Sequence, residues 1–184
     1  LAHTGALERE NRELVSQIQS KKQFEKQMLL SASVFENTIE AIMITDAQGR
    51  ILRVNQAFED LTGYSKDDIL GRNPRILQSG RHDQSFYHAI WQAVKTEGRW
   101  EGEIWNRKKD GQTFPEWLSI NAIKDSDGET LYYAALFHDI TDIKKGENLL
   151  RYQASYDPLT GLPNRQLLND RLKTAIRHCE RENL

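Results

Sequence analysis

Tryptophan and asparagine side chains are the residues of this sequence best suited to binding a ligand. Trp91 and Trp100 lie close together in the chain, and Asn106 and Asn121 follow them. An indole ring can form one wall of a slot for a flat ring system, and a carboxamide can donate to and accept from the polar edge of such a ring. The alternative interpretation is that the tryptophans pack in the core or at its rim, and that Asn106 shapes the end of a strand.

Composition excludes several other kinds of chemistry. Cys179 is the only cysteine, so the chain has neither an internal disulfide nor a cysteine-based metal cluster, and a reducing, cytoplasmic setting is expected. The formal net charge of −2 gives no general reason to expect nucleic-acid binding. No apolar run approaches the ~18 residues of a membrane span, so no membrane contact is expected. Because the sequence begins with Leu1, we expect a piece of a longer protein, whose upstream part could carry a membrane anchor.

Residues 5 to about 41 are predicted to form one long helix with a coiled-coil seam. Leucine at heptad position d, isoleucine at position a and one asparagine at position a favour a parallel two-stranded coiled coil, in which the asparagine fixes the register. The predicted seam comprises Leu7, Asn11, Leu14, Ile18 and Met28. We therefore predict a homodimer. The alternative is an amphipathic helix that packs on its own domain.

The next part of the chain predicts two strands, several short helices and three more strands. Apolar and alternating stretches mark strands at residues 42–45, 51–54, 100–107, 113–123 and 131–138. Asp83 is expected to cap a helix that runs to about Lys95. This order predicts an α+β fold, a five-stranded antiparallel sheet with short helices on one face, flanked by the N-terminal helix and a C-terminal linker helix.

The last predicted strand leads directly into a charged helix at residues 142–155. Asp139 lies at the junction, and its carboxylate is expected to accept backbone N–H groups from the start of this helix. Together with Thr141 it would fix the angle between strand and helix. We therefore assign both residues to a signal relay.

Residues 35–141 resemble a PAS domain. The matching segments are residues 44–46, 54–58, 61–64, 70–73, 107–111 and 137–141. The resemblance implies a sensor domain at 35–141, preceded by a dimerisation helix at 1–34 and followed by a linker at 142–155.

Residues 156–184 resemble the start of a GGDEF domain, through Asp-Pro-Leu-Thr-Gly-Leu-Pro-Asn-Arg at 157–165. The resemblance implies that Asp157, Asn164 and Arg165 relay a signal to an output domain that makes c-di-GMP, or to a hybrid that also degrades it. It also implies a dimer, because the cyclase reaction joins two GTP molecules held by two domains. The metal-binding aspartates and the loop that names this family are not in the sequence, so we expect these 184 residues to be catalytically inactive.

Residues 71–110 are also similar to flavin-binding PAS domains of redox regulators. This similarity implies an FAD site that would involve Asn73, Trp91 or Trp100, Asn106 or Asn121, and Phe137. Light-sensing flavin domains carry a reactive cysteine where this chain has Pro74, and a glutamine at the position of Phe137, so a cysteinyl adduct is excluded.

Two alternatives to flavin stay open, and they differ in what fills the pocket. Haem is disfavoured, because His82 and His88 match the spacing of a helical haem ligand poorly. A ligand-free dimerisation scaffold would have its pocket filled by its own side chains.

Overall fold

The computed structural model describes residues 2–157 and 159–182, with side chains described for 12–157 and 159–177. The chain forms two compact units, Leu1–His138 and the residues from Asp139 onward. The first unit contains the long helix and nearly all of the sheet, and the second contains two helices.

The first unit begins with helix α1, Ala2–Asn37. The sequence predicted a helix to about residue 41, but the helix ends at Asn37 and Ile39 is 97% exposed. The end is earlier because the chain must turn into the first strand, whose opening residue Ala41 is already buried in the sheet. The last turn of α1 is held on its own unit, since the guanidinium of Arg53 lies 4.3 Å from the centroid of the Phe35 ring.

The sheet has the five predicted antiparallel strands. They are β1 Ala41–Asp46, β2 Ile51–Val54, β3 Arg99–Arg107, β4 Thr113–Lys124 and β5 Thr130–Asp139. Their order across the sheet is β2-β1-β5-β4-β3, so the last strand lies beside the first and β3 forms an edge. The sequence predicted the strands and their antiparallel arrangement, and the structure confirms both.

Short helices cover one face of this sheet. They are α2 Gln56–Thr62, α3 Lys66–Ile69, a 3-10 helix Pro74–Leu77 and α4 Gln84–Glu97. Asp83 caps α4 as predicted, with its Oδ1 accepting from the backbone nitrogen of Phe86 at 2.9 Å. The helices and the sheet share a core that includes Phe58, Ile69 and Val94.

Asn55 joins α2 to the sheet. Its Oδ1 accepts from the backbone nitrogens of Phe58 at 3.0 Å and Ile42 at 2.9 Å, and its Nδ2 donates to the carbonyl of Glu40 at 2.9 Å. The side chain is fully buried. One asparagine therefore caps a helix and fixes the entry of β1, because an amide can accept and donate at the same time.

The second unit consists of α5 Thr141–Ser155, a turn, and α6 Arg165–Glu182. The turn is closed by the backbone of Asp157, which donates to the carbonyl of Leu162 at 2.8 Å, and by a bridge between Tyr156 and Pro163. The rings of Tyr152 and Tyr156 stack with their centroids 4.7 Å apart. The turn that the sequence predicted between these two helices is therefore confirmed.

Candidate ligand-binding site

A cavity of about 400 Å³ lies between the sheet and the segment that carries the 3-10 helix and α4. Most of its wall is apolar, and this part comprises Met43, Ala47, Pro74, Leu77, Ile90, Trp91, Ile104, Leu118, Ile120, Tyr133, Ala135 and Phe137. The polar part comprises Thr45, Gln48, Asn73, Arg75, Gln78, Tyr87, Lys95, Asn106 and Glu116. A mostly apolar cavity with a few convergent polar groups is the usual form of a small-molecule site.

Two buried polar groups of the cavity, Asn106 on β3 and Glu116 on β4, bind each other. Asn106 is 7% exposed and Glu116 is 1% exposed. The two residues face each other across the pair β3–β4, and Nδ2 of Asn106 donates to Oε1 of Glu116 at 2.8 Å. A carboxylate buried this deeply requires hydrogen bonds, so this pair is a fixed polar point in an otherwise apolar wall.

Tyr87 of α4 brings a third polar group to the same cavity. Its hydroxyl is buried and has no hydrogen-bond partner among the residues that the structure describes. Burial raises the pKa of this hydroxyl, and the negative charge of Glu116 raises it further. The group therefore stays protonated and can donate a hydrogen bond to a molecule in the cavity.

Four of the predicted cofactor residues lie in the cavity wall: Asn73, Trp91, Asn106 and Phe137. The ring of Trp91 meets that of Tyr133 edge-on with centroids 5.2 Å apart, which fixes one aromatic wall. Nδ2 of Asn73 donates to the carbonyl of Gly49 at 3.2 Å, which ties the start of the 3-10 segment to the turn between β1 and β2.

The other two predicted cofactor residues, Trp100 and Asn121, are not part of this cavity wall, which contains their alternatives Trp91 and Asn106. The ring of Trp100 lies across Gly102 and meets Phe86 edge-on at 6.4 Å, so it packs at the rim. Leu118 and Ile120 of β4 face the cavity. Asn121 follows them by one position and therefore lies on the opposite face of the sheet. Its Nδ2 donates to Oγ of Ser119 at 3.3 Å.

Sequence reasoning missed Glu116 and Tyr87. A signal for Glu116 was present, because it shares the strand alternation of Phe114 and Leu118, which are buried. A glutamate on the apolar face of a strand is unusual and indicates a functional or paired carboxylate. Tyr87 lies three residues before the buried Ile90, on the inner face of α4, where a helical pattern would have placed it.

Two cations, Arg75 of the 3-10 helix and Lys95 of α4, belong to the cavity wall. In the described wall Glu116 is the one acidic residue, and it lies at the buried end with Asn106. The cavity can therefore receive a ligand with an anionic group held by Arg75 or Lys95 and a neutral, hydrogen-bonding group at the Asn106–Glu116 pair.

The predicted relay residues lie in the second unit, and they stabilise its local turns. Oδ1 of Asp139 accepts from the backbone nitrogen of Thr141 at 2.7 Å, which confirms the predicted hydrogen bond at the start of α5. Oδ1 of Asp157 accepts from the backbone of Thr160 at 2.9 Å, from that residue's hydroxyl at 2.9 Å, and from the backbone of Leu159 at 3.1 Å. These bonds, the backbone bond from Thr160 first, hold the pKa of the Asp157 carboxyl below its usual range.

Asn164 and Arg165 lie at the start of α6. Oδ1 of Asn164 accepts from the backbone of Leu167 at 3.0 Å, and its Nδ2 donates to the carbonyl of Ala154 at 2.7 Å. Asn164 thus caps α6 and binds the end of α5, whereas Arg165 is the first residue of α6. Their role in signalling stays a prediction.

The predicted dimer seam is exposed where the structure describes it. Leu14, Ile18 and Met28 are all about half exposed, at 49%, 53% and 57%. The side chains of Leu7 and Asn11 lie outside the described residues. The same helix also exposes Phe24, Leu29 and Leu30.

The fold and the cavity place the chain among sensory domains, and comparison with known proteins agrees. Residues 39–142 match the family model described as PAS domain, so the chain belongs to the PAS domain family. It is 32% identical over 109 residues to a nitrogen fixation regulatory protein of Klebsiella oxytoca, covering 59% of this chain and 22% of that protein. The chain therefore spans less than a quarter of that relative.

Solved structures show the same fold. The PAS domain of a protein from Colwellia psychrerythraea superposes with a TM-score of 0.59 at 28% identity, covering 62% of this chain and 98% of that one. A light-oxygen-voltage domain studied with a flavin analogue superposes with a TM-score of 0.53 at 25% identity, covering 62% and 87% of the two chains. Among the helices that the structure describes, none has the length and apolar character to cross a membrane.

Proposed function

We propose that this chain is a PAS sensory module whose cavity binds a small ligand and whose helices pass the state of the ligand to an output domain. The observation that carries this proposal is the buried polar cluster of Asn106, Glu116 and Tyr87 in an apolar cavity of about 400 Å³. A scaffold without a ligand was expected to fill its pocket with its own side chains. The open cavity argues against that alternative.

The ligand class that the cavity fits best is a flavin. A flavin has a flat ring system, a pyrimidine edge with hydrogen-bond donors and acceptors, and a phosphate tail. Trp91 would form a wall for the ring, the Asn106–Glu116 pair and Tyr87 would meet its polar edge, and Arg75 or Lys95 would hold the phosphate. When bound, the flavin would supply reversible redox chemistry. The similarity to a light-oxygen-voltage domain studied with a flavin analogue supports this class.

An absorbance spectrum of the purified chain, followed by titration with FAD and with FMN, tests this assignment. We expect flavin bands in the blue region, or binding of one of the two compounds by the colourless chain. The change Trp91→Leu should weaken that binding by roughly two- to twelvefold, because it removes an aromatic wall worth about 0.5–1.5 kcal/mol. Trp117→Leu is the matched control, since Trp117 lies on the opposite face of the sheet from Leu118 and is 40% exposed. A chain that binds neither compound would exclude the flavin class.

The output that we propose is a c-di-GMP-metabolising domain of the GGDEF type, and catalysis would belong to that domain rather than to these residues. Support comes from the resemblance of residues 157–165 to the start of such a domain. The hydrogen bonds of Asp157 and Asn164, which build a defined turn after α5, also fit this role. Insertion of four residues after Lys145 would rotate everything downstream of α5. Cyclase activity of the full-length protein should change, and unchanged activity would contradict coupling through α5.

We propose that the partner of α1 is the same helix of a second copy of this chain. The exposed apolar residues of α1 would be covered in a parallel pair of helices. Sedimentation of the whole chain should give a dimer at micromolar concentration. Met28→Lys should shift it toward monomer, whereas Gln27→Lys, on the adjacent position of the same helix, should not. A monomeric unmodified chain would remove the dimer from the proposal.

A further inference from the structure

The segment from Asn73 to His82 closes one side of the cavity, and we call it the lid. Five of its residues line the cavity: Asn73, Pro74, Arg75, Leu77 and Gln78. At one end Asn73 is bonded to the turn between β1 and β2. At the other end the lid passes over the edge strand β3 before α4 begins. Entry of a ligand from this side requires the lid to move.

The lid is attached to β3 at two neighbouring residues: Asn106, which forms an antiparallel bridge with Gln78, and Trp105. Oγ of Ser79 donates to the carbonyl of Trp105 at 2.7 Å, and the backbone nitrogen of Trp105 donates to Nε2 of His82 at 2.9 Å. The guanidinium of Arg81 lies 3.7 Å from the centroid of the Trp105 ring. On its other side Trp105 is opposite Pro115 of β4. The lid therefore satisfies backbone groups that an edge strand would otherwise present to solvent.

The bond to His82 exists in only one protonation state of the imidazole. A backbone nitrogen can only donate, so Nε2 of His82 must carry a lone pair. An imidazolium has donors on both nitrogens and no acceptor. The ring also has a fixed orientation, because it stacks on Phe86 with centroids 4.0 Å apart and planes 13° from parallel. Protonation therefore makes Nε2 of His82 a donor that faces the donating nitrogen of Trp105, and it adds a positive charge beside Arg81.

The other ionisable groups around His82 are few. Arg81 and Asp83 flank it in the chain, and the carboxylate of Asp83 is already bonded to the start of α4, at Ser85 and Phe86. On α4, the Tyr87 ring meets the imidazole edge-on at 6.2 Å. On β3, Glu103 and Arg107 share the face of Trp105 by strand alternation.

We propose that the lid is a pH-sensitive gate: protonation of His82 breaks its bond to the Trp105 nitrogen and so loosens the hold of β3 on the lid over the cavity. Imidazoles change charge between about pH 5 and 8, so the gate would be closed at the upper end of this range and open at the lower end. The identity of the ligand rests on the proposed function. The bond between the Trp105 nitrogen and His82, which we call the latch, does not depend on it.

Amide hydrogen exchange in the ¹⁵N-labelled chain tests the latch without any ligand. From pH 8 to pH 5.5, the protection of the Trp105 amide, corrected for the intrinsic exchange rate, should fall and approach a tenfold loss per pH unit. In His82→Gln the side-chain carbonyl can accept at every pH, so the protection should be constant. His88→Gln is the matched control, because His88 is exposed on α4, and it should behave as the unmodified chain does.

The nitrogen shifts of the His82 ring in the unmodified chain give a second measurement that does not depend on a variant folding. Nε2 should be unprotonated at pH 8 and should titrate together with the Trp105 amide shift. Constant protection of Trp105 across this range would overturn the proposal, and so would the same pH dependence in His82→Gln.

The release of FAD by the loaded chain tests the consequence for the cavity. The dissociation rate should rise about two- to tenfold between pH 7.5 and pH 6.0 in the unmodified chain and in His88→Gln, as expected for the loss of one hydrogen bond. It should not rise in His82→Gln, and a rise there would overturn the gate. If FAD does not bind, the flavin assignment fails while the exchange experiment still decides on the latch.

Discussion

The hydroxyl of Tyr87 should lower the stability of the ligand-free protein and raise its affinity for the ligand. It is buried in the cavity wall without a partner among the described residues, and α4 holds it there. A buried polar group that makes no hydrogen bond costs roughly 1–3 kcal/mol. Tyr87→Phe removes the oxygen and keeps the ring, so we expect the free energy of unfolding to rise by about 1 kcal/mol. For a unit of this size the melting temperature should rise by about 4 °C.

Ligand binding should respond in the opposite direction. If the hydroxyl donates to the ligand, its loss removes a hydrogen bond of about 1 kcal/mol, which corresponds to a roughly fivefold weaker affinity. Tyr87→Phe would then produce a more stable protein that binds less tightly. This combination distinguishes a ligand-directed hydroxyl from one that only packs.

Thermal unfolding of the ligand-free chain and titration with FAD measure the two effects. Tyr132→Phe is the matched control, because Tyr132 is 42% exposed and is not part of the cavity wall; both quantities should stay unchanged. A fall of the melting temperature in Tyr87→Phe would refute the claim that the hydroxyl lacks a partner. An unchanged affinity for FAD would remove Tyr87 from the ligand contacts.

Three further predictions concern the residues that hold the elements in place. Asn55→Ala should lower the free energy of unfolding by roughly 3 kcal/mol in a urea titration, because it removes three hydrogen bonds of about 1 kcal/mol each from a buried side chain. Asp157 should stop stabilising its turn in acid. The pKa of its carboxyl in the folded chain lies below the usual value of about 3.9, so the stabilisation is present above pH 4 and is lost as the pH falls through the folded pKa. The amide shift of Thr160 reports this loss. Asp139→Ala should speed amide exchange of Thr141 about fivefold, because it removes the acceptor at the start of α5.

Each of these three predictions has a control in the same chain. Asn37→Ala changes an exposed asparagine at the end of α1 and should alter stability by less than ~0.5 kcal/mol. Asp157→Asn should remove the acid transition of the Thr160 amide, and its persistence would assign the transition to another group. Asp142→Ala, one residue into α5, should leave exchange at Thr141 unchanged. An equal effect there would mean that general helix fraying, not the Asp139 bond, controls it.

Local signals in the sequence predicted the elements well. Asp83 caps α4, and Asp139 bonds the start of α5, as expected. Caps and turns depend on residues within a few positions of one another, so their chemistry is visible in a short stretch of sequence. The end of α1 was misplaced because the heptad pattern continues through Ile39 to Ile42, while the entry into β1 is set by the sheet.

The candidate site was predicted only in part, and strand alternation explains the difference. Asn106 and Asn121 are equivalent as residue types, but they lie on opposite faces of the sheet. A shift of one position moves a side chain from the cavity to the other face, and a single sequence does not show which face the helices cover. Glu116 was missed for the related reason that a carboxylate in a strand is normally expected on the solvent-exposed face of the sheet.

The sequence by itself determined a sheet of five strands flanked by helices, because hydrophobic periodicity, caps and turn residues act over short distances, and its resemblance to known domains indicated the PAS family. Its similarity to flavin-binding PAS domains also predicted Asn73, Trp91 and Phe137 as residues of the ligand site, and all three line the cavity. Only the tertiary structure placed Glu116 beside Asn106 and the Tyr87 hydroxyl without a partner, and only it brought His82 to the backbone of Trp105. These contacts join residues from different elements, and the order of the strands across the sheet, rather than their order in the chain, decides which of them meet.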